Sequence, residues 1–156
     1  MSRAFVSEAA EEARAALLPE RPISPHDNLV TPNGLALIDA QLATTQGALS
    51  AAAADDAARP RLARDLRYWQ ARRASARIVE PRQSTPGEVV FGVMVVMRRG
   101  GTASRFRIVG EDEADPPRAL LSWTSPLAGA LMGAHAGDIV DPGGGREPVL
   151  IEAIEP

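Results

Sequence analysis

Cysteine and lysine are both missing from this 156-residue chain, histidine occurs twice, and aromatic side chains make up 4% of it. Without cysteine there are no disulfides and no thiol chemistry. With no cysteine, two isolated histidines, His26 and His135, cannot supply the usual nitrogen and sulfur ligand set of a zinc site. Any metal would have to be held by carboxylates. No stretch of about 18 apolar residues occurs, which excludes a membrane-spanning helix; the longest nearly unbroken apolar run, Val89 to Met97, is of strand length. Met1-Ser2-Arg3 is not followed by the hydrophobic region of a signal peptide, so a cytoplasmic location is the expectation.

With 45% hydrophobic residues, the chain can bury one ordinary core or two small ones. Net charge is only −3 but unevenly spread: seven arginines fall between Arg59 and Arg77, and acidic groups cluster at Glu8–Glu12 and Glu111–Asp115. All basic residues are arginine, which together with the alanine richness reads as the compositional bias of a GC-rich genome. The arginine run is either a solvated helix face or a surface that offers planar forks to phosphate or carboxylate.

Four regions separate along the chain. Residues 1–27 form an arm: Ser7 to Arg14 has helical composition, and Pro19, Pro22 and Pro25 then impose an extended path. Residues 28–80 read as an antiparallel helical hairpin. Thr31 is placed as an N-cap with Pro32 at the first helical position, and Leu35, Ile38, Leu42, Thr45, Leu49 and Ala52 recur at alternating steps of three and four, the seam of a coiled coil. The pattern breaks at residues 54–60 and resumes with Leu62, Leu66, Trp69, Arg73 and Ala76. Residues 81–87, with Pro81 and Pro86, form a linker.

From residue 88 to 156 the period changes to two. Val89 to Met97 is apolar on both alternating sets and reads as a central strand covered on both faces; Gly100-Gly101 makes a hairpin turn, Ser104 to Val109 the return strand, and Leu120 to Trp123 a third. Ser125-Pro126 repeats the cap-plus-proline helix start, Gly133 stops that helix, and Ile139-Val140 with Val149 to Ile154 completes a small, mostly antiparallel sheet carrying one helix. The fold class is α+β.

Three phrases in this half are distinctive: Ile108-Val109-Gly110-Glu111-Asp112-Glu113-Ala114-Asp115, Ser125-Pro126-Leu127-Ala128 and Gly133-Ala134-His135-Ala136-Gly137-Asp138. Their order and spacing resemble the C-terminal domain of the bacterial Gre transcript-cleavage factors. His26 to Leu35 and Ile78-Val79-Glu80-Pro81 resemble that family's approach to its first helix and exit from its second, so the resemblance covers residues 26–155. It implies an FKBP-like C-terminal domain that docks on RNA polymerase, around Asp112, Ser125 and Pro126 here. It also implies a hairpin placed in the polymerase secondary channel, where tip carboxylates help hold a catalytic magnesium and the backtracked transcript is hydrolysed. On that reading the factor is not itself an enzyme and has no cofactor of its own; the magnesium is shared with the polymerase, the protein is a monomer, and there is no membrane partner.

The chain departs from the family at the tip. The family's Asp-Leu-Ser-Glu-Asn-Ala loop is absent, and Asp55 and Asp56 stand at the predicted turn instead. They either present oxygen ligands to a shared metal or merely solvate the turn near a helix N-terminus. A first helix from Pro32 to Ala54 reaches about 35 Å, roughly three turns short of a usual Gre hairpin arm. Rnk-type relatives share such a shortened hairpin and are regarded as polymerase binders without the cleavage role. The arginines Arg59, Arg61, Arg64 and Arg67 would be placed to meet nascent RNA.

Other constellations carry less. Glu111 to Asp115 resembles a metal-binding run, but the family pattern places it in a loop between strands. Gly143-Gly144-Gly145 lacks the Gly-Lys-Ser/Thr ending of a phosphate loop. Tyr68 and Trp69 read as packing groups rather than base-stacking ones. A peptidyl-prolyl isomerase, suggested by fold analogy alone, would have only Phe91, Phe106 and Trp123 to wall its site.

Overall fold

The computed structural model describes Ala10 and residues 18–156. The helix expected over Ser7 to Arg14 lies, apart from Ala10, outside those residues. The chain divides into two compact units: one gathers the described part of residues 1–25 with Ile38–Ser75, the other His26–Leu37 with Ala76–Pro156. The division expected at a linker over residues 81–87 therefore falls earlier, because the segment before the first helix joins the C-terminal half.

The first unit holds most of helix α1 (Pro32–Ala51) and all of helix α2 (Arg59–Ser75). The two run antiparallel. Arg73 of α2 donates to Asp39 of α1 at 2.5 Å, while at the other end the Arg59 guanidinium donates to the carbonyls of Leu49 (3.2 Å) and Ala52 (2.9 Å). Those last carbonyls of α1 have no partner within the helix, so a cation at this end satisfies them and suits the helix dipole. That capping ends α1 at Ala51, three residues before the expected Ala54. Ile38 and Thr45 are buried and Leu42, Leu49 and Ala52 half-buried, following the expected seam of α1. On α2 the seam shifts: Leu66 and Arg72 are buried, and Arg73, expected in the seam, is exposed with its ion pair.

The second unit opens with β1 (Leu29–Val30), which pairs in parallel with β2 (Arg77–Ile78). Arg77 N–H donates to the Asn28 carbonyl and Val79 N–H to that of Val30, both at 2.9 Å, and Asp27 and Arg77 form an ion pair at 3.0 Å. This small parallel pair has no periodic signature in the sequence. Gly110 permits it, since a Cβ there would collide with the Leu29 carbonyl oxygen.

A five-stranded sheet follows: β3 (Met94–Arg99), β4 (Thr102–Val109), β5 (Leu120–Ser122), β6 (Ile139–Val140) and β7 (Val149–Glu155), in the order β5-β4-β3-β7-β6. The sheet, expected to be mostly antiparallel, has one parallel pair at its edge. β5 runs parallel to β4, because the chain crosses back through a short 3-10 turn, Pro116–Arg118, instead of a tight hairpin. The β3–β4 turn has Gly100 at φ 53° and Gly101 at φ 81°, the twist-compatible geometry only glycine takes readily at both positions.

The apolar run expected as one strand over Val89 to Met97 is also corrected. Val89–Val93 is not strand: Phe91-Gly92 turns, with Gly92 at φ 91°, and Val89 exchanges backbone hydrogen bonds with Gly133 and Ala134. Only one alternating set is fully buried, Val89, Phe91, Val93, Val95 and Met97; Val90, Gly92, Met94 and Val96 are half-buried, so the two sets are not equally covered. The core is completed by Ile108, Val149, Ile151 and Ile154 of the sheet and by Ala128 and Leu131 of helix α3 (Pro126–Leu131).

Candidate functional site

Two places carry the residues singled out by sequence. One is the helix turn of the first unit, the other an edge of the second. At the turn, Asp55 and Asp56 are both exposed. Asp56 is built into it: its Oδ1 accepts from Ala58 N–H at 2.8 Å, its N–H donates to Ala53, and its carbonyl accepts from Arg59 N–H. A carboxylate that bonds backbone two residues on is the usual aspartate turn device, here opening α2. The Asp55 carboxylate makes no such bond. Among the described residues no group of three or more His, Asp or Glu is placed to hold a metal. Two carboxylates, one with an oxygen already taken, do not complete a magnesium site on their own.

In the second unit the acidic loop after β4 and the turn between β5 and α3 are joined side chain to side chain. The Thr124 hydroxyl donates to Glu111 Oε1 at 3.1 Å and lies 2.8 Å from the Ser122 hydroxyl. Ser125 caps α3, its Oγ accepting from Ala128 N–H at 3.2 Å, with exposed Pro126 following. The Glu111–Thr124 bond thus joins the loop that carries Asp112 to the turn that carries Ser125 and Pro126, at the edge where β5 lies. Trp123, between Ser122 and Thr124, meets His26 in a T-shaped contact at 5.8 Å between ring centres. A Glu followed at a distance by a Ser-Trp-Thr-Ser string carries no spacing rule, so sequence alone offered no signal for this bridge.

Glu113 takes a different role. It accepts a hydrogen bond from the Thr31 hydroxyl at 2.5 Å, and Thr31 Oγ1 in turn accepts from Gly34 N–H at 3.0 Å, the expected N-cap of α1. A carboxylate there also suits the positive end of the helix dipole. Gly34 leaves room for it, since a Cβ would stand 2.8 Å from Glu113 Oε2. The acidic run is therefore a structural loop at Glu111 and Glu113.

The arginine face on α2 is already partly engaged. Arg59 caps α1, Arg64 places Nε and Nη2 on its neighbour Asp65 at 3.0 and 2.9 Å, and Arg67 holds Glu20; Arg61 is exposed. The Gly143-Gly144-Gly145 stretch has all three residues at positive φ and no helix behind it, a turn and not a phosphate cradle. His135 is exposed beside Asp138, at 3.6 Å.

An α+β unit with this loop pair at one edge, in a chain that also carries two antiparallel helices, defines a class that the relatives make specific. Residues 77–156 match the family described as "Transcription elongation factor, GreA/GreB, C-term". The chain belongs to the GreA/GreB family. It is 40% identical over 85 residues to transcription elongation factor GreA of Alkalilimnicola ehrlichii, covering 51% of this chain and 54% of that one. It is 35% identical over 114 residues to the GreA of Ralstonia nicotianae, covering 67% and 72%. The chain spans little more than half the length of the first of these. Among solved structures, transcription elongation factor GreA/GreB from Nitrosomonas europaea superposes at a TM-score of 0.40 with 21% identity, over 82% of this chain and 98% of the other.

Proposed function

We propose that this protein is a transcription elongation factor that binds RNA polymerase at the secondary channel and occupies that channel without promoting transcript cleavage. The observation that carries the reading is the family match over residues 77–156, which contains Asp112, Ser125 and Pro126 on one edge. In this proposal the domain is FKBP-like, docks through that edge, and presents the coiled-coil hairpin to the polymerase, which carries all the chemistry. RNA contact falls to Arg61, Arg64 and Arg67; Arg59 is spent on the end of α1.

The tip favours occupancy over cleavage. Helix α1 has 20 residues, about 30 Å, so it is shorter still than the sequence suggested, and Asp56 already bonds the turn. The second reading keeps cleavage: Asp55, with the outer oxygen of Asp56, would join polymerase carboxylates around magnesium, which supplies an activated water and offsets the charge that develops on phosphate. No support for the isomerase alternative came from the relatives.

A cleavage assay on a stalled, backtracked complex, run beside a polymerase-binding measurement, tests the proposal. Wild type and an Asp55→Ala/Asp56→Ala variant should both bind and neither should accelerate cleavage. Cleavage by wild type that the variant loses would establish the second reading, and absence of binding would overturn both.

A further inference from the structure

We propose that Glu20 and Arg21 of the N-terminal arm form a displaceable cover on α2, occupying the positions that a phosphate and a base of single-stranded RNA would take. The proposal rests on the reading that α2 contacts RNA. The Arg67 guanidinium grips Glu20 with two prongs, Nη2 to Oε1 at 2.5 Å and Nε to Oε2 at 3.2 Å. That is the fork geometry arginine uses for phosphate as well as carboxylate.

One residue on, the Arg21 guanidinium carbon lies 3.6 Å over the Tyr68 ring and 5.3 Å from the centre of Trp69, with a nitrogen 3.8 Å from Asp65. A planar cation laid on an aromatic face takes the place where a nucleobase would stack. Pro19 and Pro22 flank the pair and keep the arm extended along the helix. An anion in the fork next to a plane on the ring reproduces the two contacts by which single strands are bound without sequence preference.

The cover is built to leave. The Glu20 and Arg67 side chains are 61% and 56% exposed, and an ion pair so open to water is weak and screened by salt. Removal of the arm takes Glu20 and Arg21 away together, so the net charge of the face is unchanged while the Arg67 fork and the Tyr68 ring are uncovered at once.

The test is the affinity of the full chain for a short fluorescein-labelled oligouridine, read by anisotropy, for wild type and for Glu20→Gln, Arg21→Ala and Arg67→Ala. Glu20→Gln and Arg21→Ala should each tighten binding by about two- to fivefold, and Arg67→Ala should weaken it. Arg21→Ala is the discriminating variant. It removes a positive charge, so general electrostatics predicts weaker binding and only uncovering predicts tighter. Weaker or unchanged binding by Arg21→Ala, with Arg67→Ala still harmful, would overturn the cover and leave the RNA face standing. No effect from any of the three would overturn the RNA face as well.

Discussion

Two buried glycines of the second unit, Gly110 and Gly34, make opposite predictions from the same substitution. A Cβ added at Gly110 meets the carbonyl oxygen of Leu29, a backbone atom of β1 that cannot rotate away. Either the loop after β4 or the pair of β1 with β2 must shift, and that pair is held by backbone bonds from Arg77 to Asn28 and from Val79 to Val30. Overpacking of this kind costs about 1–3 kcal/mol, so Gly110→Ala should destabilise by about 2 kcal/mol. At Gly34 the Cβ meets Glu113 Oε2 at 2.8 Å, the far end of a flexible side chain. The carboxylate turns away and its bond from Thr31 is lost, at about 1 kcal/mol. Replacing a helical glycine by alanine returns about 1 kcal/mol, so Gly34→Ala should be close to neutral. Urea unfolding of the two variants and wild type, compared at a common m-value, measures both. Equal losses, or a Gly110→Ala variant as stable as wild type, would refute the claim that β1 lies locked against the acidic loop.

Three further outcomes are expected. Asp56→Ala should lower stability by about 1 kcal/mol in the same urea assay, because it frees the Ala58 N–H, while Asp55→Ala should change it by less than about 0.5 kcal/mol. The hydrogen bond from Arg67 holds the Glu20 carboxyl below its usual value of 4.5 and raises the Arg67 guanidinium. The stability Glu20 adds is therefore present above that ordinary value and is lost as pH falls through the lowered one; the difference between wild type and Glu20→Gln should vanish in acid, and a carbon-detected NMR titration should show the depressed midpoint. Ile151→Ala, at a fully buried position of β7, should cost about 3 kcal/mol, whereas Ile139→Ala, 73% exposed, should be nearly silent in thermal unfolding.

What could be read from sequence was whatever a local rule encodes. Thr31-Pro32 and Ser125-Pro126 each start a helix, because the cap and the missing N–H act within one turn. Gly100-Gly101 turns between strands for an equally local reason. Misreadings arose where a distant group decided the outcome. The Val89 to Met97 run has strand composition throughout, yet Val89 bonds to the backbone at Gly133 and Ala134, 44 and 45 positions away, and the chain turns at Gly92. The heptad spacing placed Arg73 in the seam, yet Arg73 pairs with Asp39, far off in sequence, at the surface, and Arg72 is the buried one.

The acidic loop illustrates the same distinction at the candidate site. Four carboxylates in five residues suggest a single chemistry, and their partners divide them: Glu111 receives Thr124, Glu113 receives Thr31, and each bond closes a loop of a different length. A carboxylate bound by a hydroxyl of the same unit is a structural group, and both Glu111 and Glu113 are of that kind. Asp56 is needed to open α2 whether or not a metal is ever shared, so its presence there is explained without cleavage; Asp55 has no structural task. A cleaving factor would consequently show its dependence at Asp55, with Asp56→Ala harming fold and activity together and Asp55→Ala harming activity alone.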